Sequence, residues 1–377
     1  MRHIVDKIKK MMINDIVIVS FTNKADEYFD NTIRYIYKNI GKMKYDSDEY
    51  FELRNEIEAM GNSVMLVAEE ADMALVNRLM WEVLNVKGCA YADMDDPYKV
   101  ESSVTKKDKM LWDVQANLSG EDDQASMSGW KNSYNNEEFT PEELEEYIND
   151  SVIKLKPYLN KESTRVLEVG VGSGMIAHRI APLCKEYVGS DISRIVLDRL
   201  HALNEANGID NMTLYNCGAD EISSINKKYD VIFMSSVTEY FSGVNYMRKV
   251  LEDCIDNIEQ NGHILIADVF GLETKEMYRE SVERYASEHP GCRYKKDFSH
   301  ELFLSKRLWE DFGRTIDGIK SVEVLPKEGI IDNEINKFRY DVMIEVDRRI
   351  MKYADARTLN RFQTVLETAC EHRQEMC

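Results

Sequence analysis

The chain has 377 residues, 44% hydrophobic and 31% charged, with 68 acidic against 48 basic side chains and a formal net charge of −20. That length accommodates one large domain with a sizeable core plus a smaller one. The charge excludes non-specific binding to nucleic acid, which needs clustered Lys and Arg to neutralise phosphates, and suits a soluble cytoplasmic enzyme.

The seven cysteines include no C-x-x-C pair and read as reduced thiols, and the seven histidines lack ligand spacing, so no metal site is expected. Residues 1–21 do not read as a signal peptide. No run approaches the roughly 18 apolar residues of a membrane span.

In chain order, residues 1–105 read as a helical N-terminal region without an assigned role. Tyr28, Phe29, Ile33, Ile36 and Ile40 recur at helical spacing, as do Tyr50, Leu53 and Ile57. A third helix is predicted over 70–86, with Leu75, Leu79, Trp81 and Leu84, stopping near Gly88. The polar stretch 93–109 reads as a linker.

Thr140-Pro141-Glu142-Glu143 is a strong helix start, with an N-cap, proline at the first helical position and a capping box; that helix runs toward Lys156 and Pro157 helps end it. Strands are then predicted at 165–169, 186–190, 212–216, 230–235 and 263–269, with helices at 173–183, 193–207 and 244–260. This alternation implies a mainly parallel sheet with helices on both faces. Residues 321–326 and 338–346 read as an antiparallel edge hairpin, and 271–320, too long for a bare loop, as a helical cap or lid. The segment 347–377 reads as a C-terminal helix.

The densest signal is Arg165-Val166-Leu167-Glu168-Val169-Gly170-Val171-Gly172-Ser173-Gly174, a buried strand entering a glycine turn that opens a helix. Glycines let the backbone turn tightly and approach a ligand closely, and the helix start offers unpaired N–H groups. Asp191, closing the next strand, is placed to accept hydrogen bonds from a ribose diol. An adenosine-containing cofactor follows. It is not a dinucleotide, because Met175 stands where G-x-G-x-x-G requires glycine, and no Lys-Ser/Thr pair makes a phosphate loop.

The form Glu168-x-Gly170-x-Gly172-x-Gly174 resembles motif I of the class I S-adenosylmethionine (SAM)-dependent methyltransferases. The resemblance implies a Rossmann-like, mostly parallel seven-stranded sheet with an antiparallel edge hairpin. It implies SAM as cofactor and S-adenosylhomocysteine (SAH) as product. Glu168 would support the loop, Gly170, Gly172 and Gly174 would line the methionine and ribose, and Asp191 would hold the ribose. Ile192 would touch the adenine face, and Ala219 and Asp220, after the third strand, would meet the adenine edge.

Four ordered segments resemble a narrower group. They are Gly129-Trp130-Lys131-Asn132-Ser133-Tyr134; the glycine loop with Ile180-Ala181-Pro182; Ser236-Val237-Thr238-Glu239-Tyr240-Phe241; and Asn333-Glu334-Ile335-Asn336-Lys337-Phe338-Arg339-Tyr340-Asp341-Val342. Together, across about 110–346, this series is similar to the methyltransferase domains embedded in nonribosomal peptide synthetases, most of which N-methylate a carrier-bound aminoacyl group.

That resemblance places Trp130 and Tyr134 over cofactor or acceptor, Ser235 on the cofactor side, and Glu239 and Tyr240 at the methyl. Glu334, Arg339 and Tyr340 fall near the pocket rim, with Tyr340 counted with Glu239 and Tyr240 as catalytic, and Trp130, Glu239, Glu334 and Arg339 touching substrate. The group commonly has Gln where Glu239 stands. The expected partner is an amine or amino-acid acceptor, free or carrier-protein-bound, with no nucleic acid and no membrane. O- or C-methylation of a small molecule, and a non-catalytic SAM-binding module, stand as alternatives.

Overall fold

The structure, a computed structural model, describes residues 15–20, 34–38, 43, 47–60, 63–68, 75–76, 78–79, 83, 86–92, 103, 105–119, 130–298 and 300–352. The chain divides into two compact units: residues 1–101, 243–245 and 352–377, and residues 102–242 and 246–351. Among the described residues no helix is long and apolar enough to cross a membrane.

The first unit corrects the helical reading of residues 1–105. Four parallel strands, β1 (Asp15–Ser20), β2 (Arg34–Lys38), β3 (Ser63–Ala68) and β4 (Val86–Ala92), form a sheet in the order β2-β1-β3-β4. Ile36 lies in β2 and Gly88 in β4 rather than in or after helices. The cause is visible in the sequence. Ile16-Val17-Ile18-Val19 and Val64-Met65-Leu66-Val67 are short continuous apolar runs, the pattern of parallel strands, which periodicity alone does not separate from buried helix. One predicted helix is present, Asp48–Glu58, with Ser47 as N-cap and Tyr50, Leu53 and Ile57 buried. Leu75 and Leu79 are helical and buried. Tyr28, Phe29, Ile33, Ile40, Trp81 and Leu84 lie outside the described residues.

The second unit contains seven strands: β5 (Arg165–Val169), β6 (Glu186–Asp191), β7 (Met212–Asn216), β8 (Tyr229–Ser235), β9 (Ile258–Phe270), β10 (Ile319–Pro326) and β11 (Arg339–Asp347). Their order is β10-β11-β9-β8-β5-β6-β7. β5 to β9 pair in parallel, and β11 pairs antiparallel with both β9 and β10. The class I methyltransferase fold, with its antiparallel edge hairpin, is thus the observed one. Val166, Leu167, Ile232, Phe233, Ile264 and Leu265 are almost wholly buried, as strands covered on both faces must be.

Pro141–Leu155 forms behind the expected capping box, Thr140 and Glu143 each bonding the other's backbone. The chain breaks at β5's end because Gly170, Gly172 and Gly174 adopt φ of +76, +51 and +82°. A Cβ on Gly170 would also stand 2.5 Å from Val237 Cγ2, so only glycine fits there. The segment 271–320, expected as a cap, carries the helices Lys275–Glu288 and Lys306–Thr315.

The linker reading of 93–109 stops short at its end. Thr105 caps a helix, Lys106–Leu118, through a second capping box with Asp108. Of the predicted C-terminal helix 347–377, Asp347 ends β11 and 348–352 are turn and coil, not helix, while 353–377 lie outside the described residues.

Candidate active site

A cavity of about 620 Å³ opens at the carboxyl ends of β5, β6 and β8, where ligands bind in open α/β sheets and where ligand pockets of about 300–1,000 Å³ are usual. Its walls include Trp130, Glu168, Gly170, Gly172, Asp191, Ile192, Ala219, Ser235 and Tyr240, nine of the predicted residues brought to one place.

Asp191 organises this end of the site. One carboxylate oxygen accepts from Gly172 N–H at 3.0 Å and the other from Ser193 N–H at 2.8 Å. The side chain therefore ties the glycine loop to the start of helix Arg194–Asn207, and its remaining lone pairs are available to hydroxyl donors. Burial raises its pKa against these backbone bonds. Ser193 Oγ in turn donates to Asp113 at 2.7 Å, so helix Lys106–Leu118 borders the site, contributing Trp112 and Gln115 to the wall. Trp112 meets Tyr240 edge-on at 4.8 Å.

Glu168 is 3% exposed and accepts a short hydrogen bond from Tyr187 Oη. Burial pushes its pKa up to about 8 against the pull of that bond, and the Asp191 charge adds to the rise. A carboxyl whose folded pKa lies above its unfolded value holds its proton more tightly when folded, so apo stability falls as pH rises between the two values. Glu168→Gln is therefore expected to flatten the pH dependence of Tm between about pH 5 and pH 8 and to raise Tm at the alkaline end. Parallel thermal melts of the two proteins check this; identical slopes would remove Glu168 as the cause.

On the opposite wall, Tyr147 Oη lies 2.8 Å from Ser235 Oγ and 3.3 Å from Ser236 Oγ. Ser236 Oγ donates to Asp268 Oδ2, and Arg339 Nη1 donates to that same oxygen at 2.5 Å. Trp130 packs edge-on against Tyr147 with ring centroids 4.8 Å apart.

Seven predicted residues fall elsewhere. Gly174 does not line the cavity; its N–H bonds Val171 O at 3.0 Å and its carbonyl accepts from His178 N–H at 3.0 Å, so it turns the chain into the helix. The Asp220 carboxylate accepts from Tyr246 Oη at 2.9 Å, leaving Ala219 at the wall. Tyr134 bonds Ser281 on the cap at 2.9 Å and stacks edge-on with Tyr285. Tyr340 is buried, accepting from Trp309 Nε1 and donating to Leu304 O, each at 2.8 Å. Its hydroxyl ties the edge hairpin to Trp309 and Leu304, and Tyr340 does not line the cavity.

Glu334 and Arg339 pair at 3.1 Å behind the cavity wall, with Glu334 also accepting from Ser133 N–H at 2.8 Å. They are no rim. Glu239 is 3% exposed and absent from the wall, because the 3-10 turn Thr238–Tyr240 sends it inward and Tyr240 outward. Burial and the Asp268 charge push its pKa up to about 8, opposed by Arg339.

Sequence reasoning missed Tyr147, Ser236, Asp268 and the helix carrying Trp112. Tyr147 sat within the predicted helix Pro141–Leu155 as an ordinary apolar-face residue, and Asp268 near the end of a predicted strand. An acid inside an apolar strand, as in Ile264-Leu265-Ile266-Ala267-Asp268-Val269, was the available signal.

The glycine cradle, the paired acid of Asp191, the apolar Ile192 and the cavity's size fit SAM. The second unit has the fold and site layout of class I SAM-dependent methyltransferases. Residues 167–264 match the family described as "Methyltransferase domain". The chain is also similar to parts of several large synthetases. It is 28% identical over 257 residues to the chondramide synthase of Chondromyces crocatus, covering 66% of this chain and 6% of that protein. It is 28% identical over 219 residues to a probable non-canonical nonribosomal peptide synthetase of Salinispora arenicola, covering 57% and 3%. It is 24% identical over 241 residues to the enniatin synthase of Fusarium equiseti, covering 58% and 7%. The chain thus spans only a small fraction of the length of the relatives it matches.

Proposed function

We propose that this chain N-methylates an amino acid or an aminoacyl or peptidyl natural-product intermediate, free or carrier-bound. The observation that carries the reading is one cavity in which the glycine loop and Asp191 face a wall of hydroxyl groups, Tyr147, Ser235 and Ser236, backed by the carboxylate of Asp268. The ordered resemblance to synthetase methyltransferase domains supports a nitrogen acceptor of peptide type.

Bound SAM supplies a methyl already activated on a sulfonium, so the protein's work is chiefly positioning. Asp191 and the 170–172 backbone would hold the nucleoside and methionine. Trp130 and Tyr147 wall the acceptor side, where an attacking atom must wait at about 3 Å. Tyr240, 53% exposed at the wall beside Trp112, is placed to guard the entrance.

The test is turnover with methyl-deuterated SAM against free amino acids, their N-acetylcysteamine thioesters and aminoacyl-loaded carrier protein, with product fragmentation by mass spectrometry. Label on nitrogen is the expected result. Label on oxygen or carbon would replace this reading with one of the alternatives, and SAM binding without turnover on any acceptor would favour a non-catalytic module.

A further inference from the structure

The carboxyl end of β8 and a point two residues before the end of β9 hold an unusual pair. Ser235 and Ala267 are register partners in the parallel sheet, and the residue after each, Ser236 and Asp268, turns into the left-handed region with φ of +53 and +64°. Side chains other than glycine rarely adopt that conformation, and it persists only where surroundings enforce it. The double turn brings Ser236 Oγ onto Asp268 Oδ2.

Asp268 is fully buried. Burial opposes its ionisation, but Arg339, Lys327 and the Ser236 hydroxyl outweigh it and hold its pKa below the usual value. An ionised carboxylate only accepts hydrogen bonds, so the Ser236 hydrogen is committed to Asp268. Its lone pairs remain. Whichever of Ser235 and Ser236 receives the Tyr147 hydrogen, Ser236 Oγ keeps accepting capacity toward the cavity it lines.

We propose that Ser236 accepts the N–H of the methyl acceptor, and that Asp268, held by Arg339, is the positioning residue that fixes the serine as an acceptor rather than a donor. This rests on the methyltransfer reading above. A neutral amine attacking the sulfonium methyl aims its lone pair at carbon, so its N–H points away and needs a partner. As the C–N bond forms, the C–S electron pair passes to sulfur and nitrogen becomes cationic; the N–H···Ser236 bond then strengthens, which favours the transition state over the ground state. The proton remains on nitrogen through the displacement and leaves to solvent after release.

Sinefungin, in which an amine-bearing carbon replaces the sulfonium methyl, places an ammonium where the methyl and acceptor nitrogen meet. By isothermal titration calorimetry the wild-type chain is expected to bind sinefungin about tenfold or more tighter than SAH. Ser236→Ala and Ser236→Gly are expected to weaken sinefungin about tenfold while leaving SAH within about twofold, and Asp268→Asn to weaken the preference part-way. The glycine variant relieves the backbone, so a purely conformational role for Ser236 predicts wild-type preference there.

An unchanged sinefungin-to-SAH ratio in both serine variants, equal losses for both ligands, or no preference in the wild type would overturn the proposal. Should Asp268→Asn not fold, the serine variants still decide it. Failure of the wild type to bind SAH at all would instead overturn the cofactor reading, and this assignment with it.

Discussion

Asp191→Ala is expected to weaken SAM and SAH binding by about 100-fold or more, which corresponds to about 2.7 kcal/mol or more. The side chain accepts from Gly172 and Ser193 N–H at 3.0 and 2.8 Å, and hydrogen bonds to a charged group are worth about 1.5–3 kcal/mol each. Its removal lets the glycine loop relax and takes away the acceptor facing the ribose. Both losses fall on cofactor affinity, so titration calorimetry with SAH isolates them from any acceptor. Asp191→Asn keeps one good acceptor oxygen and is expected to lie between wild type and alanine. Unchanged affinity in the alanine variant would mean that the cavity does not hold the nucleoside at this strand end.

The second large effect belongs to the ion network behind the site. Lys327 Nζ is buried and lies 2.9 Å from Asp150, 3.0 Å from Asp341 and 3.7 Å from Asp268. Lys154 bridges Asp150 and Asp341 at 2.6 and 2.5 Å. Lys327→Met is expected to cost about 3–5 kcal/mol of folding stability, because it removes one of the cations that balance the buried carboxylates and leaves Lys154 alone between Asp150 and Asp341. Urea denaturation measures it.

The pH dependence follows from the shifts. Burial opposes the charge on Lys327, but Asp341, Asp268 and Asp150 override it and raise its pKa. Its contribution is fully present below the unfolded lysine value and lost only as pH rises through the folded one. Burial likewise opposes ionisation of Asp150, but Lys327 and its hydrogen bonds lower its pKa, so its contribution is present above the unfolded value and lost as pH falls through the folded one. The shares carried by Lys327 and Asp150 should therefore be flat between about pH 5 and pH 9 and shrink in acid below about pH 4. A variant as stable as wild type at neutral pH would show that the network contributes nothing net, as some buried ion pairs do.

The second unit's fold was largely legible. Arg165–Val169, Met212–Asn216 and helix Pro141–Leu155 fall at or within a residue or two of their predicted bounds, because alternation and capping chemistry are local. Residues 1–105 were misread because short apolar runs carry no period that separates strand from helix. Helix Lys106–Leu118 was partly hidden in polar composition, although Thr105 and Asp108 spelled its cap.

The site divides the same way. Gly170, Gly172, Asp191, Ile192 and Ala219 reach the cavity because a strand end followed by a glycine turn admits one geometry. Glu239 and Tyr240 are neighbours in sequence, yet one is buried and the other is at the wall, since a 3-10 turn sets their directions. Tyr340 looked chemical and is a pin between hairpin and cap.

By itself the sequence determined the parallel sheet and the glycine loop. Those features depend on backbone conformation and on residues within a few positions of one another. The tertiary structure alone decided what faces the cofactor. Tyr147, Ser236, Asp268 and Arg339 come from four separate segments, and only the sheet register, with its paired left-handed turns, brings a serine and a buried carboxylate together at the cavity wall.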